Sequence, residues 1–334
     1  MKWLIGALLA IVGLVALVGA AGYFALKRDD IAYETLAAKY ESGASRYVDL
    51  PGGVRMHYRD EGDENAPVLL LIHGFSASLH TWEPWVERLA SSADGAYRLV
   101  SLDLPGHGLT RAPAGYQASI EAYRDIVAEF VRARGLQRFA LAGSSMGGNV
   151  AWEYALAHPD QVSALILVDA SGWEETRAGL DQDPAIFKLL RNPVLGPLLR
   201  DLDNTALVRQ GLETSFGDAS LVDDAMVSRY VELARAPGHR EILLDITLGF
   251  RARNYATAER LAALAMPVLV MTGDQDRLVP PEHARQFHEA IAGSELVVFE
   301  NVGHIPQEEV PDASAAAVRE FLNAALEPAA VAAE

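Results

Sequence analysis

Ser145 stands at the centre of Gly143-Ser144-Ser145-Met146-Gly147, with a glycine two residues to either side. This Gly-X-Ser-X-Gly pattern belongs to a strained strand-to-helix turn that lifts a serine hydroxyl off the backbone, and the glycines let strand and helix approach without a Cβ between them. Centring the pattern on Ser144 would put Ala142 and Met146 at the flanking positions, and Met146 is too bulky for that approach. Ser145 is therefore the nucleophile candidate, while Ser144 is left as a candidate for the substrate-pocket wall. The flanks suit such a turn. Phe139-Ala140-Leu141-Ala142 is a short apolar run, and Asn149 to Ala157 contains neither Gly nor Pro. Taken alone, the pattern fits a glycine-rich structural turn equally well, so its partners decide.

A serine hydroxyl is a weak nucleophile and needs a base, which an acidic group must orient. Among the 9 histidines, His304 follows the last strand-like run in Asn301-Val302-Gly303-His304, so it would emerge at the same sheet end as Ser145. The acid is expected between them in chain order. Thr272-Gly273-Asp274-Gln275-Asp276-Arg277 offers two, Asp274 and Asp276; Asp276, further from the strand and just before the turn at Val279-Pro280, is preferred. A tetrahedral oxyanion also needs two preorganised N–H donors. The amide of Met146, directly after the nucleophile, is one; the amide of Phe75, in the loop His73-Gly74-Phe75-Ser76, is the other.

Blander roles fall to other residues. Asp103 and His107, in Asp103-Leu104-Pro105-Gly106-His107-Gly108, are expected to fix a turn near the site. His57, His80, His158, His239, His283 and His288 are read as surface or packing residues, and Trp173 as a packing residue that could line an acyl pocket. No His/Asp/Glu spacing implies a metal, and no Gly-x-x-x-x-Gly-Lys or Gly-x-Gly-x-x-Gly follows a strand, so no metal or cofactor is expected.

To bring these residues together the chain needs a sheet whose strands end at one rim. Tyr47–Leu50 and Val54–Tyr58, around Pro51-Gly52-Gly53, read as an antiparallel edge hairpin. Near-continuous apolar runs at Val68–Ile72, Arg98–Leu102, Phe139–Ala142, Leu165–Val168, Val268–Met271 and Leu296–Phe299 suit parallel strands covered on both faces. Helical spacing at Tyr123, Ile126, Val127, Phe130 and Val131, and at Trp82, Trp85, Val86 and Leu89, supplies covering helices. The βαβα order predicts a mostly parallel, doubly wound α/β sheet. The expected organisation is a core of residues 46–170 and 260–327, interrupted by a helical cap at 171–259, with a flexible Ala-rich tail at 328–334.

The N-terminus is a separate question. Trp3 to Leu26 is 24 residues without a charge, bracketed by Lys2 and Lys27-Arg28. About 20 apolar residues span a bilayer core, so residues 1–28 are expected to form a single-pass membrane anchor, with 29–45 a polar spacer. The alternative is a signal peptide removed on export, since Val18-Gly19-Ala20 has small residues suited to cleavage. The chain has 334 residues and a net charge of −17; that acidity argues against nucleic acid, whose phosphates demand a basic surface. With 0 cysteines, disulfides and thiolate chemistry are excluded. No obligatory protein partner is evident.

His73-Gly74-Phe75-Ser76-Ala77-Ser78, Asp103 to Gly108, Gly143 to Gly148, Gly273 to Pro280 and Glu300 to Glu309 occur in the order and spacing of serine hydrolases with the α/β-hydrolase fold. Together with the N-terminal apolar run, the chain most resembles the membrane-anchored monoacylglycerol-lipase/esterase type of that family. The resemblance covers roughly residues 46–325. It implies Ser145, Asp276 and His304 as a catalytic triad, Phe75 and Met146 as the oxyanion hole, and hydrolysis of carboxylic esters, with monoacylglycerol-like lipids as possible substrates. Serine where epoxide hydrolases and haloalkane dehalogenases carry aspartate argues against those chemistries. The alternatives are a carbon–carbon bond hydrolase, a lactonase or a thioesterase using the same triad, or a binding protein without activity.

Overall fold

Eight apolar or half-apolar runs pair into a single sheet in a computed structural model that describes residues 2–90, 97–174, 189–190, 192, 195–249 and 254–326, with backbone alone at residues 2, 4–12, 15 and 16. The strands are β1 (Ser45–Leu50), β2 (Val54–Glu61), β3 (Val68–Ile72), β4 (Arg98–Leu102), β5 (Phe139–Ser144), β6 (Val162–Val168), β7 (Val268–Gly273) and β8 (Glu295–Phe299). Their order is β1-β2-β4-β3-β5-β6-β7-β8. β1 and β2 pair antiparallel, β2 joins β4 antiparallel, and every pairing from β4 to β8 is parallel. The strand order doubles back around β3 and β5, and ligands of open α/β sheets bind outside the carboxyl ends of strands at such a reversal.

Side chains alternate across β3, so an unbroken apolar run feeds two cores. Leu70 and Ile72 pack with α4 (Ile120–Arg134), α5 (Met146–Ala157) and α9 (Pro281–Ala290). Leu69 and Leu71 pack with α3 (Glu83–Leu89) and α10 (Pro311–Leu326). Each such fully buried leucine contributes about 1.5–3 kcal/mol relative to exposure. The amphipathic face expected around Tyr123 becomes α4, capped by Ser119, whose side chain accepts from the Ala122 amide, and closed by Gly135 at φ 65°. A glycine there meets no Cβ penalty in the left-handed region.

Between β6 and β7 the described residues hold a short helix at Leu195–Arg200, then α6 (Thr205–Ser215), α7 (Asp224–Ala234) and α8 (His239–Gly249). Leu212, Phe216, Val222, Val227 and Val231 form a small core of their own that also takes in Ile305 from the loop after β8. This insertion thus sits on the rim where the parallel strands end. Within the expected cap, residues 175–188, 191, 193–194 and 250–253 lie outside the described residues, as does the expected tail at 328–334.

The N-terminal segment departs from expectation in two ways. Residues 29–45 do not stand off as a spacer: α2 (Tyr33–Tyr40) buries Leu36 and Tyr40 against Leu109, Leu233 and Ala236. Two apolar side chains with a ready groove lose more by remaining in water than the short helix loses by ordering. The expected membrane span falls in α1 (Lys2–Leu26), much of which is described by backbone alone. Among the described residues no helix is long and apolar enough to cross a membrane, so a spanning role gains no support from the fold. The end of α1 is instead tied to the insertion. Lys27 bridges Leu202, the Arg28 amide donates to Asp201 O at 2.8 Å, and the Asp203 amide donates to Leu26 O at 2.8 Å.

Candidate active site

Ser145 occupies the one-residue turn between β5 and α5 at φ 54°, ψ −116°. A non-glycine residue with positive φ costs on the order of 1–3 kcal/mol and persists only where surrounding contacts over-determine it. Those contacts are present. The Ser145 amide donates to Val168 O at 2.9 Å, and its carbonyl accepts from the Asn149 and Ser171 amides at 3.2 and 3.1 Å. The glycines answer the packing demand read from the sequence. A Cβ on Gly143 would stand 2.2 Å from Gly147 O, and one on Gly147 would stand 2.2 Å from Ile72 O. Neither position could carry a side chain without moving the backbone.

Strain is concentrated at this rim. Among the described residues the non-glycine ones with positive φ are Ser76, Ser145, Asp169 and Asn301, which follow β3, β5, β6 and β8 respectively. Backbone strain of this kind clusters at sites where geometry is imposed for chemistry.

His304 and Asp276 meet at the same rim. His304 Nδ1 lies 2.6 Å from Asp276 Oδ2, and both side chains are buried. That contact leaves Nε2 as the ring nitrogen free to act elsewhere. Asp276 Oδ1 accepts from the amides of Leu278 at 2.7 Å and Val279 at 3.0 Å. Burial alone would push the Asp276 carboxyl up, but the His304 ring and these two amides outweigh it and hold the carboxyl below its usual range. Asp274 does other work: it accepts from the Asn301 amide at 2.7 Å and ties the loop after β7 to the loop after β8. The His304 amide donates to Ser215 O at 2.6 Å, which fixes the histidine loop to α6.

Ser145 and His304 line one cavity of about 430 Å³, together with Gly74, Phe75, Met146 and residues of α6, α7 and α8. That volume suits a small ligand. Its apolar wall includes Leu212, Ile246, Leu278, Val279 and Ile305. A Cβ on Gly74 would be 3.2 Å from Ser145 Cβ, so the loop carrying Phe75 passes directly beside the serine. Neither the Phe75 nor the Met146 amide is spent on a hydrogen bond among the described residues. Met146 is the first residue of α5, where the helix dipole favours negative charge.

Of the two pocket candidates, Ser144 lines the cavity and Trp173 does not. The Trp173 ring packs edge-on against Phe287, 5.5 Å between centroids, beside the main core; the covering helix α9 offers it an apolar partner. Two residues escaped the sequence reading. Gln307 lines the cavity and donates from Nε2 to Thr81 Oγ1 at 3.0 Å and Ser144 Oγ at 3.3 Å. Asp169 is fully buried at the end of β6, and one donor atom each of Asp169, Asp276 and His304 lies within 4.8 Å of the others. Among the described residues this is the one group close enough to hold a cation, yet two of its members are already engaged with each other at hydrogen-bond distance.

A second Ser-His-Asp array lies elsewhere. Ser45 Oγ is 2.9 Å from His57 Nε2, and His57 Nδ1 is 2.7 Å from Asp103 Oδ2. Asp103 also accepts from the amides of Leu79 at 2.8 Å and Leu109 at 2.9 Å. Burial opposes its charge, but the His57 hydrogen bond and neighbouring histidines prevail and lower its pKa.

A family profile described as the alpha/beta hydrolase fold matches residues 67–311. The chain is 30% identical over 285 residues to the dihydrolipoyllysine-residue acetyltransferase component of the acetoin cleaving system from Cupriavidus necator, covering 84% of this chain and 68% of that one. It is 26% identical to Lipase 1 from Psychrobacter immobilis over 284 residues, 80% of each. Among solved structures, a membrane phospholipase A superposes with a TM-score of 0.72 at 28% identity, over 98% of this chain and all of that one. With this sheet order and this serine turn, the chain belongs to the α/β-hydrolase-fold family, and hydrolysis is the general activity that membership supports.

Proposed function

We propose that the protein is a serine esterase that cleaves carboxylic esters through an acyl-enzyme on Ser145. The observation that carries this reading is the convergence on one cavity of a strained serine, two unspent amides and a histidine already held by a buried carboxylate. In the proposed reaction His304 Nε2 takes the Ser145 proton as Oγ attacks the ester carbonyl. Asp276 stabilises the imidazolium, and the Phe75 and Met146 amides receive the oxyanion. His304 then protonates the departing alkoxide, and water repeats the sequence to free the acid. Each oxyanion donor is worth on the order of 10²–10³ in rate. The apolar wall supports a medium-chain acyl group, as in a monoacylglycerol-like ester.

A fluorophosphonate probe tests the nucleophile, and p-nitrophenyl esters of graded chain length test the substrate class. Labelling that survives Ser145→Ala would remove the serine from the mechanism. Turnover of no ester at any chain length would favour a carbon–carbon bond hydrolase, lactonase or thioesterase. The uncharged length of Trp3–Leu26 supports a membrane-tethered form. Release of the full-length chain from membranes by alkaline carbonate would count against tethering, and N-terminal sequencing would reveal cleavage.

A further inference from the structure

Asp169 has no place in the reaction above, and its surroundings are unusual for a carboxylate. It is 1% exposed and does not line the cavity. Its Oδ1 accepts from Thr272 Oγ1 at 2.7 Å and from the Gly273 amide at 3.2 Å. Among the described residues its Oδ2 is buried without any hydrogen-bond donor. An orphaned buried polar atom costs about 1–3 kcal/mol, more when charged, and folding pressure should have removed it unless something satisfies it. The titratable groups facing Asp169 are Asp276, on the loop after β7, and His304, on the loop after β8. Both Asp276 oxygens are acceptors already fixed in place, Oδ1 by two amides and Oδ2 by His304. Two carboxyl groups this close cannot both ionise in a dry interior without a large penalty. A proton between them removes the penalty and fills the vacant position on Oδ2.

We propose that Asp169 is a positioning residue for the esterase site: as a carboxylic acid it donates from Oδ2 to Asp276, fixing that carboxylate against His304. Burial, followed by the neighbouring Asp276 charge, pushes the Asp169 carboxyl well above its ordinary value, in keeping with the neutral form. The residue is held in place at the rim at φ 44°, with the Asp169 amide donating to Met271 O at 2.8 Å. The inference rests on the reading of Ser145, His304 and Asp276 as the reacting set.

The test compares Asp169→Asn and Asp169→Ala in kcat and in the acid limb of the kcat/KM profile on a p-nitrophenyl ester, with fluorophosphonate labelling run in parallel. Asparagine is isosteric; its Nδ2–H donates to Asp276 as the acid does, and its oxygen still accepts from Thr272 and Gly273. The expected result is kcat within about threefold of the parent and an unmoved acid limb for Asp169→Asn, against a loss of about tenfold or more in kcat for Asp169→Ala. An ionised Asp169 would instead favour the His304 imidazolium, so its neutralisation in Asp169→Asn would move the acid limb to lower pH and overturn the proposal. Full activity in Asp169→Ala would overturn it as well. Loss of parental activity on adding EDTA, restored by a divalent cation, would replace the proton with a metal and also overturn it. Should Asp169→Ala fail to fold, the profile of Asp169→Asn decides alone. Labelling of the parent that is abolished in Ser145→Ala separates failure of this inference from failure of the Ser145 assignment.

Discussion

Of the two Ser-His-Asp arrays in the molecule, the better-connected one is the less suited to chemistry. Ser45, His57 and Asp103 form a continuous relay with contacts of 2.9 and 2.7 Å. Ser145, His304 and Asp276 share a firm histidine–carboxylate contact, while the serine is joined to the histidine by a common cavity. The surroundings explain the difference. His57 and Asp103 are fully buried, Ser45 begins an edge strand, and none of the three lines the cavity. The amide beside Ser45, that of Ser42, is already spent on its Oγ, whereas Ser145 has a strained backbone, a loop passing at van der Waals distance and two amides unspent among the described residues. A hydrogen-bonded triad is thus a way to bury three polar groups. Catalysis additionally requires space for a substrate and donors with nothing else to bind.

The sharpest way to break this comparison is to remove each serine. Ser145→Ala is expected to lower kcat by on the order of 10⁴–10⁶ while leaving the circular dichroism spectrum and thermal midpoint close to those of the parent. Alanine keeps the Cβ and hence the positive-φ strain at φ 54°, so stability should stay close to that of the parent. A variant that still turns over ester would transfer the chemistry to some other group.

The acids come next. Asp276→Asn is expected to reduce kcat on the order of 10²–10⁴-fold, because the amide can hold neither the histidine tautomer nor the imidazolium charge as the carboxylate does. Asp274→Asn should change kcat by less than about threefold, since among the described residues its side chain engages the Asn301 amide and not the histidine. Equal losses at the two positions would contradict the division of labour between them. At the other array, Asp103→Ala should act on stability instead. It strands the Leu79 and Leu109 amides and the His57 ring in a dry interior, at about 1–3 kcal/mol for each unpaired group. Urea unfolding should register the loss, with kcat per folded molecule largely intact.

Acid should also find the two regions differently. Burial pushes His80 down to about 4, and His73, His107 and His239 are lowered by burial as well. Unfolded, these rings titrate near about 6.5. Between those values the unfolded chain binds more protons than the folded one, so stability falls as pH drops through this window. Asp103, depressed in the fold, adds a further loss at lower pH as it is protonated. Asp169 has the opposite sign: its raised carboxyl contributes stability at low pH that is lost as pH rises through its folded value. Urea midpoints measured from pH 7 to pH 4 should therefore decline steadily, and a flat profile would contradict the burial of neutral histidines around Asp103.

Much of this was legible from residues alone because backbone geometry imposes it. Gly143 and Gly147 could be read as a turn since nothing larger fits against Gly147 O and Ile72 O. The runs Val68–Ile72 and Arg98–Leu102 became strands with the same limits, since a strand buried on two faces leaves an uninterrupted apolar signature. The preference for Asp276 over Asp274 rested on distance along a loop; Asp276 Oδ2 lies 2.6 Å from His304 Nδ1, whereas Asp274 accepts from the Asn301 amide. Asp169 and Gln307 were missed because no local pattern marks them. Each matters through partners more than 100 residues away, Asp169 to Thr272 and Gln307 to Thr81. One signal was available for Asp169: it ends the run Leu165–Val168 at the rim already assigned to the chemistry. Trp173, read as a packing residue that could line an acyl pocket, packs on Phe287. The packing of α2 was hidden because only Leu36 and Tyr40 of its 8 residues are buried, too few to set up a helical apolar stripe.

The smallest expected effect tests the comparison from its quiet side. Ser45 Oγ receives the Ser42 amide at 3.1 Å and contacts His57 Nε2 at 2.9 Å. Ser45→Ala frees the Ser42 amide at an exposed turn, where water can replace the lost partner, and takes from buried His57 Nε2 its contact. The cost should be about 1–3 kcal/mol, that of one unpaired buried group, visible as a small drop in the urea midpoint with an unchanged slope. kcat and KM should match the parent, and fluorophosphonate labelling should remain on Ser145. If Ser45→Ala instead depressed turnover without loss of stability, the second relay would be coupled to the reaction, and burial would no longer separate the structural array from the chemical one.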